Sequence, residues 1–268
     1  MVGSFLNVVI YRLPLMMFRE WKESYADFEE NLPPQLPEGK FNLAVPRSKC
    51  PHCGHLIKGY QNIPIVSYLL LKGSCANCGA KISLRYPIVE AFTGLMSALV
   101  IIEFGASTQT LAALVFVWCL ISLTMIDFDH QLLPDQITLP LLWLGLLCNY
   151  FNLFTSLESA FLGAIFGYLS LWTVYWAFKL LTGKEGMGYG DFKLLAALGA
   201  WLGWQYLPLV ILLSSLVGVC VGVAGMLFSH LKRDTRIAFG PYIALAGCIA
   251  FLLNDQAMKY YYLLLGGA

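Results

Sequence analysis

The sequence predicts an all-α polytopic membrane protein, and three observations carry that prediction. Hydrophobic residues make up 58% of the 268 positions, and the mean hydropathy is +0.67. Charged residues make up 12%, about half of the roughly 25% usual in a soluble domain. The charges are also segregated, leaving five long stretches without Asp, Glu, Lys or Arg. These features exclude a disordered tail, a basic nucleic-acid-binding protein and an ordinary water-soluble enzyme. The net charge of +1 gives no reason to expect a polyanionic partner.

About 20 apolar residues cross a hydrocarbon core of about 30 Å. Met1–Tyr11 reads as the end of a span, too short to cross alone, so the first helix is expected to be shallow or truncated. It does not read as a signal peptide, because no basic residue precedes it and no small-residue cleavage site follows. Ile88–Ile102 is the next span and tolerates Glu90. The uncharged runs Phe104–Ile126, Gln136–Leu157 and Ser159–Phe178 supply three more. Leu194–Leu231, at 38 residues, is too long for one crossing. Gly203-Trp204-Gln205-Tyr206-Leu207-Pro208 offers a polar place to turn and divides it in two. Ile237–Asn254 completes a set of about eight transmembrane helices.

Lys and Arg mark the cytoplasmic side of a membrane protein. Ten precede Ile88, and others cluster at Lys179, Lys184 and Lys193 and at Lys232, Arg233 and Arg236. The opposite connections, near Glu103–Ser107, Leu157–Glu158 and Trp204–Pro208, carry none. Lys259, near the C-terminus, is the lone exception. The expected organisation is an N-terminal membrane segment at 1–18, a cytoplasmic insert at 19–87 and a transmembrane core at 88–268.

The insert is charged, polar and Pro-rich, and it contains Cys50-Pro51-His52-Cys53-Gly54 and Cys75-Ala76-Asn77-Cys78-Gly79. Two CxxC pairs at such spacing can surround one tetrahedral metal ion with four thiolates. The following glycines supply the positive φ of a tight turn. Structural zinc on Cys50, Cys53, Cys75 and Cys78 is therefore expected, folding an insert too small to bury a good core. The alternative is a pair of disulfides, which a cytoplasmic location keeps reduced. His52 and His55 read as exposed neighbours. Cys119, Cys148, Cys220 and Cys248 stand singly in apolar spans and read as small hydrophobes.

Ionisable groups at membrane depth are costly and mark function. Asp127-Phe128-Asp129-His130-Gln131-Leu132-Leu133-Pro134-Asp135 follows an uncharged span, and Gly186-Met187-Gly188-Tyr189-Gly190-Asp191-Phe192-Lys193 precedes another. Two crossings separate Asp127 from Asp191, so both return to the cytoplasmic boundary. Paired carboxylates there share one proton and suit aspartyl proteolysis. Gly188 and Gly190, flanking Tyr189, let backbone approach a bound peptide. The competing reading of all four aspartates is helix-end capping, with Asp135 capping the following span and Asp129 in a solvated loop end. The glycine run lacks the strand and Lys-Ser/Thr pair of a phosphate loop.

With Gly3-Ser4-Phe5-Leu6-Asn7-Val8-Val9-Ile10-Tyr11-Arg12-Leu13-Pro14, the paired CxxC motifs, the Asp127 segment and GxGD at Gly188–Asp191, the chain resembles the bacterial type IV prepilin peptidases. These are bifunctional leader peptidases and N-methyltransferases among the GxGD aspartyl proteases. The resemblance covers nearly the whole chain, in the family's order. It implies an inner-membrane enzyme that cleaves the leader of type IV prepilins and type II secretion pseudopilins after a Gly, on the cytoplasmic side. It further implies N-methylation of the new terminal residue, usually Phe, from S-adenosylmethionine. Matched motif by motif, the catalytic pair is Asp127 and Asp191, with Asp127 preferred to Asp129. Family members carry about a dozen further residues before the first motif, whereas here Met1-Val2 precede it.

The bare sequence gives the methyltransferase no βαβ domain or glycine fingerprint. Its site would be built from the insert and helix ends, where Glu90, Arg85 and Lys193 read as interfacial anchors or ion-pair partners. Phe239-Gly240-Pro241 opens the last span, either as a helix-start Pro or, by analogy with presenilin-like enzymes, as part of a peptide groove. Gly163–Gly167 and Gly218–Gly222 read as helix contacts, and Trp172, Trp176 and Tyr260–Tyr262 as interfacial belts. Two other functions remain open: a methyltransferase lacking peptidase activity, and a non-enzymatic scaffold docking a cytoplasmic assembly through the zinc insert.

Overall fold

The computed structural model describes residues 1–24, 36, 39–228 and 238–264, with side chains of 254–258 and 260–264 excepted. Among them the only regular elements are helices, beside two isolated β-bridges. Lys232, Arg233 and Arg236 of the sequence-based orientation lie outside the described residues, as do the side chains of Tyr260–Tyr262. The chain divides into two compact units, Met1–Ala98 and Leu99–Ala268.

In the first unit, helix α1 runs over Val2–Ser24. The helix has 23 residues here, continuing past Tyr11 and through Pro14 into the charged stretch that composition reads as insert. Leu6, Val9, Ile10, Leu13 and Met17 are buried along it and hold the Pro14 turn helical despite its missing N–H. The insert contributes a short 3-10 turn at Gly59–Asn62 and a five-residue helix α2 at Val66–Leu70. Helix α3, Arg85–Phe104, follows. Among the contacts that fasten the insert to these helices, Ser4 Oγ donates to Asn62 O (3.1 Å), and Ile65 N donates to Glu90 Oε2 (2.9 Å). Glu90 also accepts from Ser4 Oγ, so it acts as a hydrogen-bonded anchor. Buried Arg12 donates to the carbonyls of Asn42 and Pro46.

The second unit contains α4 (Thr108–His130), α5 (Asp135–Tyr150), α6 (Leu157–Thr182), α7 (Tyr189–Leu202), α8 (Leu207–Phe228) and α9 (Gly240–Leu264). Among the described residues, four helices are long and apolar enough to cross a membrane: Arg85–Phe104, Thr108–His130, Leu157–Thr182 and Trp204–Leu227. The turn expected at 203–208 is present, with Gly203 at φ +88° and a 3-10 turn at Trp204–Tyr206. Helix α7 has 14 residues, about 21 Å at 1.5 Å each, short of the hydrocarbon thickness. From Asp191 onward every residue of α7 except Lys193 is buried, and α5, α6, α8 and α9 all pack against it. It is therefore the centre of the bundle.

Lipid is as apolar as Leu, so helices associate in it through close packing and interhelical hydrogen bonds. Both are seen at α7. Gly163 on α6 abuts Gly199 backbone to backbone, and Gly167 meets the backbone of Leu195, as the GxxxG spacing predicts. Trp201, fully buried, donates Nε1–H to Leu141 O (2.8 Å) and stacks near Phe116 and Phe154. Asn149, with no exposed surface, donates to Ala200 O (2.8 Å) and Trp201 O (3.2 Å). Its Oδ1 accepts from the backbone N–H groups of Phe154 and Thr155. These contacts fix the C-terminal end of α7 and hence the position of its opposite end.

Candidate functional site

Helix α4 does not stop at Ile126, where its uncharged run ends. The helix continues through Asp127-Phe128-Asp129-His130, and Gln131 closes it in the left-handed region, its N–H bonded to Asp127 O. Asp127 thus lies on a helix rather than in a loop. Likewise α7 begins at Tyr189 with Gly188 as its N-cap, which places Asp191 in the first turn. A carboxylate there faces backbone N–H groups without helical partners and the positive end of the helix dipole.

The structure brings these two carboxyls together. Asp127 is 5% exposed and Asp191 7%. Leu133, in the connection after α4, ties the neighbourhood: its side chain contacts both Gly190 and Gly240. The backbone N–H of Gly188 is directed to Asp191, and that of Gly240 to Asp127. Asp127 Oδ2 has no hydrogen-bond partner among the described residues. A buried, unpartnered carboxyl oxygen beside a second carboxyl is costly as architecture and suited to holding a proton or a reactant.

The two glycines of the GxGD run differ. A Cβ at Gly190 would meet Leu133 Cβ at 2.8 Å, so that position is filled by packing. At Gly188 the nearest atoms are Gly190 N at 3.9 Å and Asp191 Oδ2 at 4.0 Å, leaving room beside the carboxyl. The Tyr189 ring packs against Tyr175 and Phe192 (centroids 5.4 Å each) and remains half exposed. Gly240 is the residue that the sequence argument underrated. Pro241 stands in the first turn of α9 as a helix-start Pro should, yet a Cβ at 240 would lie 2.5 Å from Asp127 Oδ2. Asp129 is exposed. Asp135 does not cap α5: Pro134 is the N-cap, and Asp135 instead pairs with Lys193 Nζ at 2.7 and 2.8 Å.

Cys50, Cys53, Cys75 and Cys78 bring four Sγ atoms within 4.8 Å of one another, and neither histidine belongs to the group. A tetrahedral zinc with bonds of about 2.3 Å needs sulfurs about 3.8 Å apart, and Cys50–Cys78 stands at 3.8 Å. The donor set fits such an ion. The two halves repeat one design: Gly54 N donates to Cys50 O and Gly79 N to Cys75 O, with φ +69° and +70° at the glycines. Bridges Lys49–Leu56 and Ser74–Lys81 close the two turns. Backbone N–H groups of Cys78 and Asn77 lower the Cys75 thiol to about 6, whereas burial and the neighbouring thiols raise Cys78 to about 11, so the full set of thiolates requires a cation among them. The singly placed cysteines Cys119, Cys148, Cys220 and Cys248 lie outside this cluster.

A model of the bacterial peptidase A24 N-terminal domain matches residues 1–104, and a model of the type IV leader peptidase family matches 114–223. The chain is similar to a prepilin leader peptidase/N-methyltransferase of Stutzerimonas stutzeri, 56% identical over 97% of the chain and 90% of the relative. It is equally similar, at 56% and the same coverage, to the protein of that name from Pseudomonas aeruginosa. The Legionella pneumophila protein so named is 46% identical, again over 97% and 90%. No solved structure matches.

Proposed function

We propose that this chain, which belongs to the type IV leader peptidase family, is an inner-membrane aspartic endopeptidase using Asp127 and Asp191. It cleaves the leader peptide of type IV prepilins and type II secretion pseudopilins after a Gly, on the cytoplasmic side. It then N-methylates the new N-terminal residue, usually Phe, with S-adenosylmethionine as methyl donor. The observation that carries the peptidase reading is the meeting of two buried carboxyls from α4 and α7, one of them with an unpartnered oxygen.

Two close carboxyls hold one proton between them, since like charges there cannot both ionise cheaply. The ionised partner takes a proton from water as that water attacks the scissile carbonyl. The protonated partner hydrogen-bonds the oxygen that becomes negative, and the proton taken from water passes to the leaving nitrogen as the adduct collapses and the C–N bond breaks. The room at Gly188 admits substrate backbone beside Asp191, and Tyr189 and Gly190 shape that edge. Helix α7, buried from Asp191 onward except at Lys193, holds Asp191 in place, and a short displacement would cost catalysis dearly.

Cys50, Cys53, Cys75 and Cys78 would hold the zinc. Four thiolates would complete its coordination, so the ion would supply folding energy to the insert rather than an activated water. Segments 1–18, 19–87 and 88–268 then serve as membrane anchor, zinc insert and peptidase core. The basic connections support a cytoplasmic insert and active site, within a multi-pass arrangement. Among the described residues no βαβ unit offers S-adenosylmethionine a cradle, and no step is assigned to particular residues for methyl transfer.

The test is reconstitution of the purified protein in lipid with a synthetic prepilin, with products read by mass spectrometry. Leader release followed by a single added methyl group is the expected result. Release without methylation would remove the second activity, and an intact substrate would remove both.

A further inference from the structure

The zinc insert carries an unpartnered surface of one kind. Helix α2 spans a little more than one turn, and Val66, Leu69 and Leu70 occupy positions i, i+3 and i+4 on a single face. Their exposures are 51%, 69% and 78%, which no water-facing helix requires. Leu84 is exposed as well, at 63%. Around this face the charge has one sign. Between Glu38 and Glu90 the sequence contains no Asp or Glu, while Arg47, Lys49, Lys58, Lys72, Lys81 and Arg85 are all present. A four-thiolate zinc centre is doubly negative and still leaves the segment net positive.

We propose that α2 and its basic surroundings dock on the headgroup region of the bilayer through anionic lipid phosphates, making the zinc insert a second, peripheral membrane contact. An apolar turn ringed by Lys and Arg is the chemistry of an interfacial segment, with leucines at the acyl boundary and cations at phosphate level. Continuity supports lipid over a protein partner. Ile65, the residue preceding α2, donates its N–H to Glu90 in the second turn of membrane-crossing α3, and Asn62 accepts from Ser4 near the start of α1. The helix is thereby tied to α3, which is long and apolar enough to enter the bilayer, and to the start of α1. Ile65 is held at φ +59°, a conformation that β-branched residues avoid, and its bond to Glu90 helps to hold that bend just ahead of the apolar face. Tyr60, 62% exposed with Lys58 against its ring, adds an amphipathic interfacial pair.

The experiment uses the full chain in nanodiscs of phosphatidylcholine alone or of an equal mixture with phosphatidylglycerol. Amide hydrogen exchange of residues 66–72 is the readout. Docking predicts exchange roughly tenfold slower in the anionic discs, with the difference erased by high salt. The triple variant K58E/K72E/K81E, checked for retained zinc, is expected to exchange alike in both discs, and L69S/L70S to lose protection in both. The wild-type comparison needs no variant to fold. Equal exchange of the wild type in the two bilayers overturns the proposal. Protection that arises only on adding a soluble acidic protein overturns it too, in favour of a protein partner.

Discussion

Gly240 stands against Asp127: a Cβ at position 240 would sit 2.5 Å from Asp127 Oδ2 and 3.1 Å from Leu133 Cδ1. The start of α9 is therefore a wall of the carboxyl site, and a methyl group there must displace the carboxyl or the helix. Gly240→Ala is expected to lower kcat for leader release at least about tenfold, since small displacements of reacting groups are costly. Thermal stability is expected to change far less. An Ala variant with normal kcat would mean that α9 is not part of the site.

Gly188→Ala tests the opposite situation. Its φ of −86° suits any residue, and no atom lies closer than 3.9 Å to the added methyl. The fold should be indifferent, while the room beside Asp191 shrinks. A several-fold rise in KM with little change in kcat is expected if substrate backbone passes there, because only uniform binding is lost. Unchanged KM would move the substrate path elsewhere.

Asn149 bonds four backbone groups across the C-terminal ends of α5 and α7. Asn149→Ala leaves two N–H groups and two carbonyls to find other partners in a fully buried position. A loss of about 2–3 kcal/mol is expected, each orphaned group costing about 1–3 kcal/mol less whatever relaxation recovers. Thermal unfolding in detergent reports it. The Lys193–Asp135 pair, with side chains 29% and 50% exposed, should matter much less. Lys193→Met is expected to cost under about 1 kcal/mol, and the swap K193D/D135K to recover most of it.

Removing the metal should act on the insert. Chelation, or Cys53→Ser with Cys78→Ser, is expected to expose the 47–84 segment to protease while α4–α9 stay folded. Because the ligands bind as thiolates, metal should also be released as pH falls. Limited proteolysis with elemental analysis checks both, and an insert equally resistant without zinc would contradict the structural role.

The helices of the membrane core were legible because lipid-facing and buried segments alike exclude charge, so uncharged runs mark them. Their ends were less so. Asp127 and Asp191 interrupt the apolar pattern and so hide the helix ends; Asp191 suits the first turn of α7, whereas Asp127 lies in the last turn of α4, where exposed carbonyls do not favour a carboxylate and only tertiary packing places it. Helix α1 was cut short at Tyr11 because Arg12, Pro14 and the charges beyond them imitate a boundary. The four-cysteine cluster was legible from spacing alone, as two chelating pairs need only meet. The Gly240 contact and the Lys193–Asp135 pair were not, because hydropathy does not say which helix ends return to one another.

The central claim is that Asp127 and Asp191 act as one catalytic pair. The most direct measurement is leader release from a synthetic prepilin by reconstituted Asp127→Asn and Asp191→Asn proteins, each shown by its melting curve to be folded. Loss of at least about a thousandfold in kcat is expected for either, because neither amide can share or accept the proton. Turnover near wild type in either folded variant would contradict the account.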